Sequence, residues 1–156
     1  MRFLVDEMLF DVAKYLRFMG YGVEVMRSGT PDKEILARTE EDGLVLITAD
    51  KELYKIAKKN GDGTIFLDIR KSLEEKLAIV IKKANLYLDF ERSRCPKCGG
   101  ELHYIDSKDV NVPEFIKKTH KKVQECLSCK HVYWKGSHWE AMVKRVERAF
   151  KLASKI

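Results

Sequence analysis

The residues whose types and spacing can do chemistry fall into two sets, acids that close apolar runs and cysteines in pairs. Asp6 ends Phe3-Leu4-Val5, Asp50 ends Leu44-Val45-Leu46-Ile47-Thr48-Ala49, and Asp68 ends Ile65-Phe66-Leu67. Runs of this kind predict strands buried on both faces. In an open α/β sheet, ligands bind outside the carboxyl ends of the strands. Asp32 and Glu34 open the helix after the second strand, so they begin at the same edge. Grouped carboxylates repel one another. A divalent cation that prefers hard oxygen ligands, Mg²⁺ or Mn²⁺, reverses that cost. Such an ion activates water and steadies the leaving oxygen of a phosphodiester. Asp6, Asp50 and Asp68, with Asp32 and Glu34 at the helix start, are therefore the candidate metal ligands. Asp68 is the weaker candidate, because Arg70 and Lys71 can pair with it locally. Each acid also has a plainer reading. An Asp after a strand is commonly a turn former or helix cap, as Asp50 is able to be for the helix that follows. Asp32 offsets a helix dipole in any case. Recurrence on one edge favours chemistry.

The four cysteines are Cys95-Pro-Lys-Cys98 and Cys126-Leu-Ser-Cys129, with 27 residues between the pairs and no cysteine left over. Each pair lets two sulfurs grip one ion from a tight turn. The set predicts a closed, structural, tetrahedral Zn²⁺ in preference to disulfides or a redox site. The gap exceeds the commonest ribbon spacing, so an insertion is expected inside the ribbon. His103, His120, His131 and His138 are read as surface or capping residues. Tyr104, Tyr133, Trp134 and Trp139 stand beside basic residues and are able to stack bases, although Trp139 also lies on a helical apolar stripe.

Strands alternating with helices must position the acids. Strands are expected near 2–5, 23–26, 44–48 and 64–67. Helices are expected after Asp6 to Met19, after Thr30 as N-cap with Pro31 first, from Lys51 to Asn60, and from Ser72 to Asn85. Ile35, Leu36 and Ala37, and then Leu53, Ile56 and Ala57, are expected to face inward. Gly61-Asp62-Gly63 reads as a turn. The pattern predicts a parallel sheet flanked by helices over residues 1–90. Residues 91–156 form the ribbon and a basic amphipathic helix from Ser137, with Ser137 and Glu140 at capping-box spacing.

Charge divides the same way. Residues 1–90 carry 15 Lys+Arg against 16 Asp+Glu, and residues 91–156 carry 15 against 8, giving −1 and +7 for a total of +6. A near-neutral front and a basic back point to a polyanion grip beside a separate active unit. No apolar run is long enough to span a membrane, and the first residues have no signal-type core. A cytoplasmic protein is expected. No G-x-G-x-x-G or Walker loop is present, which excludes the usual phosphate cradles. A phospho-acceptor receiver domain would need a fifth strand–helix unit.

Several motifs together resemble a known family. Asp6-Glu7-Met8-Leu9, Leu16-Arg17, Gly20-Tyr21, Asp32-Lys33-Glu34-Ile35-Leu36 and Leu46-Ile47-Thr48-Ala49-Asp50 look like the PIN-like ribonuclease domain of the Mut-seven carboxyl-terminal family. Cys95-Pro-Lys-Cys98, Val112-Pro113, Cys126-Leu-Ser-Cys129, Val132-Tyr133-Trp134 and Gly136-Ser137-His138-Trp139 resemble the zinc ribbon fused to it. The resemblance implies a PIN-like fold and metal-dependent hydrolysis of RNA. Asp6, Asp32 and Asp50 would carry the acidic site, with Glu34 replacing or assisting Asp32. RNA is the expected partner, alone or within the ribosome or another ribonucleoprotein. Arg17, Arg27 and Lys51 are candidate phosphate contacts. The rival reading is a noncatalytic RNA- or ribosome-binding adaptor with a degenerate acidic site, and a partner-restrained toxin nuclease is a weaker third.

Overall fold

The computed structural model describes residues 1–61 and 63–156, so Asp62 of the expected turn lies outside the described residues. The first sheet contains β1 (Arg2–Asp6), β2 (Gly22–Met26), β3 (Val45–Thr48) and β4 (Ile65–Phe66). All its pairings are parallel and its order is β2-β1-β3-β4. A one-turn 3-10 segment follows β1 and leads into α1 (Phe10–Phe18). Helices α2 (Asp32–Asp42), α3 (Lys51–Lys59) and α4 (Leu73–Ala84) complete the alternation.

Strand alternation sorts the side chains into two cores. Phe3, Val5 and Ile47 face a core shared with α1 and α4, while Leu4 and Leu46 face Ile35, Leu53 and Ala57 of α2 and α3. The steps from β2 to β3 and from β3 to β4 run the same way across the sheet. The step from β1 to β2 runs the other way. Right-handed crossovers then put α2 and α3 on one face and α1 on the opposite one.

The second sheet is antiparallel, ordered β5 (Leu102–Asp106), β6 (Lys122–Cys126) and β7 (Val132–Tyr133). The long gap between the cysteine pairs is filled by the hairpin between β5 and β6. That hairpin carries a 3-10 turn and α5 (Glu114–Thr119), and Val112 and Ile116 pack on Val123 there. The last helix is α6 (Ser137–Ala153). Its sequence position groups it with the ribbon, yet Met142, Val146, Ala149 and Ala153 enter the core of the first sheet beside α1 and α4. Arg145 and Arg148 of α6 reach Glu74 of α4 at 3.4 and 3.2 Å. An amphipathic stripe shows that a helix is covered, not which neighbour covers it.

Four local expectations differ from the structure. Pro31, not Thr30, occupies the N-cap of α2, and the Thr30 hydroxyl instead donates to the Arg27 carbonyl at 2.7 Å. Gly136 is the N-cap of α6, and Ser137 makes no capping-box bond because it is already inside the helix. Ala37 and Ile56 are exposed, since each two-layer contact covers only the middle of its helix face. By contrast, Ser72 caps α4 as its sequence predicts, accepting from the Glu75 N–H. No helix among the described residues is long and apolar enough to cross a membrane.

Leu77 of α4 is fully buried in the core that α6 completes. Leu77→Ala is expected to cost about 2–5 kcal/mol, read by chemical denaturation. A loss below about 1 kcal/mol would contradict this packing.

Candidate active site and four-cysteine centre

Asp6 ends β1 and Asp50 lies two residues beyond β3, so both stand where the chain turns from strand to helix. The register pairs Val5 with Ile47. The next residue pair is Asp6 and Thr48. Thr48 is fully buried, and its hydroxyl donates to Asp6 Oδ2 at 2.5 Å while accepting the Asp50 N–H at 3.0 Å. The Ala49 N–H also donates to Asp6 Oδ2, at 3.1 Å. Asp50 Oδ1 caps α3 by accepting the Glu52 and Leu53 N–H groups at 2.9 and 3.2 Å. Each carboxylate therefore spends one oxygen on local structure. Among the described residues, Asp6 Oδ1 and Asp50 Oδ2 accept no protein hydrogen bond.

Asp32 is the first residue of α2 and is exposed, as is Glu34. The loop before it is tied to the end of β1 through the Ser28 N–H, which donates to Glu7 Oε2 at 2.8 Å. That backbone hydrogen bond holds the Glu7 carboxyl below its usual range. Asp68 is engaged elsewhere. Arg70 takes both of its oxygens at 2.8–3.2 Å, and these hydrogen bonds hold its carboxyl well below the usual range. Arg27 and Lys51 are exposed near the sheet edge.

Among the described residues, the one group of three or more metal-capable side chains within 4.8 Å of one another is Cys95, Cys98, Cys126 and Cys129. The Cys95–Cys129 and Cys98–Cys126 sulfur separations are 3.7 and 3.5 Å. A tetrahedral Zn²⁺ with Zn–S near 2.3 Å needs sulfurs about 3.8 Å apart. The donor set fits one zinc ion. Each pair sits on a matching turn, with Gly99 N–H donating to the Cys95 carbonyl and Lys130 N–H to that of Cys126. Gly99 and Lys130 both adopt positive φ, 83° and 65°. Burial pushes the Cys98 thiol up to about 12. Burial also opposes ionisation of Cys126, but N–H groups of Cys129 and Ser128 outweigh it and bring that thiol down to about 7. Four crowded sulfurs cannot all ionise without a cation.

A family model described as the Mut7-C RNAse domain matches residues 1–146 of the 156. The chain belongs to the Mut7-C RNAse domain family. No curated protein and no solved structure gives a significant match. The matched range spans both sheets, so the family unit includes the cysteine centre as well as the acidic edge.

Two features of this Mut7-C chain escape a residue-by-residue reading. Thr48 reads as one more strand residue, although a β-branched hydroxyl closing an apolar run is a visible signal. Arg17, expected at phosphate, is instead buried. Its guanidinium donates to the Val23 carbonyl at 2.9 Å, and to the Pro96 and Lys97 carbonyls at 3.3 and 3.4 Å. It therefore joins β2 to the first cysteine turn. Burial lowers its pKa, and the nearby Cys98 and Cys95 oppose that shift. Arg94 N–H and the Ser93 hydroxyl return to the Arg17 and Phe18 carbonyls, closing the end of α1. A Cβ on Gly99 would meet Arg17 Nε at 2.9 Å, so only glycine fits there.

Purified chain is expected to hold one Zn²⁺ per molecule by elemental analysis, and Cys126→Ser to lose it and destabilise β5–β7. Full zinc retention by that variant would contradict a four-sulfur centre.

Proposed function

We propose that this chain is a metal-dependent ribonuclease that hydrolyses RNA phosphodiester bonds at the β1/β3 edge of its parallel sheet. The carrying observation is the Asp6–Thr48–Asp50 arrangement, which stands where the strand order reverses direction. In sheets of this order that crevice is the ligand site. Asp6 and Asp50 would hold a Mg²⁺ or Mn²⁺ ion through the oxygens not used in local structure. Asp32 would join from the start of α2, with Glu34 assisting. The bound ion would supply a water-derived nucleophile and charge neutralisation at the leaving oxygen. Thr48 fixes the rotamer of Asp6 and orients the Asp50 backbone. Glu7 holds the loop that delivers Asp32. Arg27 and Lys51 are the phosphate contacts this reading retains. The ribbon and α6, rich in Lys and Arg, would position the strand through phosphates. The PIN-like assignment, the division into residues 1–90 and 91–156, and residence in a reducing cytoplasm belong to the same proposal.

One observation favours the adaptor reading: among the described residues the acids form no group of three within 4.8 Å. The substitution Asp50→Asn separates the two readings without a folding artefact, because Asn caps helices as well as Asp. Cleavage of RNA in Mn²⁺ is expected to fall roughly 100-fold or more, with stability and zinc content unchanged. Equal cleavage by the variant would end the nuclease reading. Thr48→Val, which removes only the hydroxyl, is expected to lower cleavage roughly 10–100-fold. Unchanged cleavage would remove Thr48 from the site.

A further inference from the structure

A groove of about 680 Å³ runs between α1, the ribbon and the start of α6. Ligand sites fall at about 300–1,000 Å³. Its lining has an unusual charge balance. Lys14, Arg94, Lys97, His120, His131 and His138 line it, and among the described residues no Asp or Glu does. None of these six side chains pairs with a carboxylate among the described residues. The lining is also aromatic. Both tryptophans of the chain, Trp134 and Trp139, lie in it with Phe10 and Phe115, and Phe115 is 64% exposed. An exposed phenylalanine on a six-residue helix does nothing for the ribbon core, which Ile116 fills from the same helix.

The Gly136-Ser137-His138-Trp139 motif, of which only Gly136 serves as a helix cap, lies in this lining as a unit. Gly136 has a local reason to be glycine, since a Cβ there would meet the Trp134 ring at 3.1 Å. Trp139 is anchored from behind by Phe18 and Phe90, with ring centroids 6.4 and 6.0 Å away. At the other end, Phe10 begins α1, four residues after Asp6, and is exposed at the carboxyl edge of the sheet. The groove's lining thus runs from the ribbon to the first residue of α1, the helix that follows the strand ending in Asp6.

We propose that this groove binds single-stranded RNA with its bases unstacked against the aromatic wall, feeding the strand toward Asp6 and Asp50. The proposal names the substrate form of the ribonuclease reading and rests on it. Aromatic faces accept any base, and cations along the wall follow the phosphates, which is the combination single strands require. Phe115 and Trp134 are the stacking surfaces. Trp139 is the floor, because Lys135 Nζ stands 5.3 Å from its ring centroid. Lys14 and Lys97 meet the backbone. A duplex keeps its bases stacked and offers the wall nothing but phosphates.

Because both tryptophans lie in the groove, intrinsic fluorescence reports on it directly. The zinc-loaded full chain carrying Asp50→Asn, which prevents turnover, is titrated with a single-stranded oligoadenylate of about 12 nucleotides. An abasic strand and a duplex of equal length serve as comparisons. The intact single strand is expected to quench the fluorescence saturably and to bind at least tenfold more tightly than either comparison. Adding Phe115→Ala is expected to weaken it roughly tenfold with zinc content and melting temperature unchanged. Lys14→Glu is expected to reduce the salt slope by about one. Equal binding of the abasic strand, binding without a fluorescence change, or Phe115→Ala at parental affinity would overturn the groove. Selective binding by a chain that never cleaves RNA sustains the groove and overturns the nuclease reading. Cleavage lost on Asp50→Asn, with Phe115→Ala binding unaltered, does the reverse.

Discussion

In the order β2-β1-β3-β4 the chain leaves β1 in one direction and β3 in the other. α1 and α3 pack into different cores on opposite faces of the sheet, as right-handed crossovers require. The carboxyl ends of β1 and β3 are then an adjacent pair from which the chain leaves in opposite directions across the sheet. Asp6 and Asp50 stand at that reversal. The buried Thr48 hydroxyl between them turns it into a fixed arrangement, since it donates to one residue and accepts from the other. A carboxylate there would be one acid among 24 without that constraint.

A second constraint sets where the ribbon lies. Arg17 is buried at the end of α1 with its donors spent on carbonyls from β2 and from the first cysteine turn. A buried guanidinium left unpaired costs several kcal/mol, so the cysteine turn and the sheet edge hold one another in register. The chain re-enters at the same place, through Ser93 and Arg94 on the last carbonyls of α1. Helix α6 then packs on α4 and α1, so the ribbon is fastened at its start and just after its end. The groove between these fastenings follows from the two attachments.

The legible part of the molecule was written in period and type. The unbroken apolar runs Phe3-Leu4-Val5 and Val45-Leu46-Ile47 mark strands buried on both faces. Ser72 and Asp50 mark helix starts, and the paired cysteines mark a closed metal centre whose sulfur spacing fits zinc. Thr30 and Ser137 look like caps because hydroxyls usually are. Neighbouring Pro31 and Gly136 took those positions on backbone conformation alone. Arg17 looks like a phosphate contact in the sequence, which gives an arginine's charge and not its neighbours. Those neighbours lie six and about eighty residues away. The acids were visible as a set, while their spacing depends on side-chain geometry: Asp68 turns to Arg70 and Asp32 stays exposed on α2.

In the proposed ribonuclease, Asp6 and Asp50 at the strand reversal would hold a divalent ion. Crystals soaked in Mn²⁺ and measured for anomalous scattering test it most directly. A peak touching Asp6 Oδ1 and Asp50 Oδ2, distinct from zinc among the four sulfurs, is the expected result. Full occupancy of the cysteine centre with no manganese at the β1/β3 edge would contradict the account.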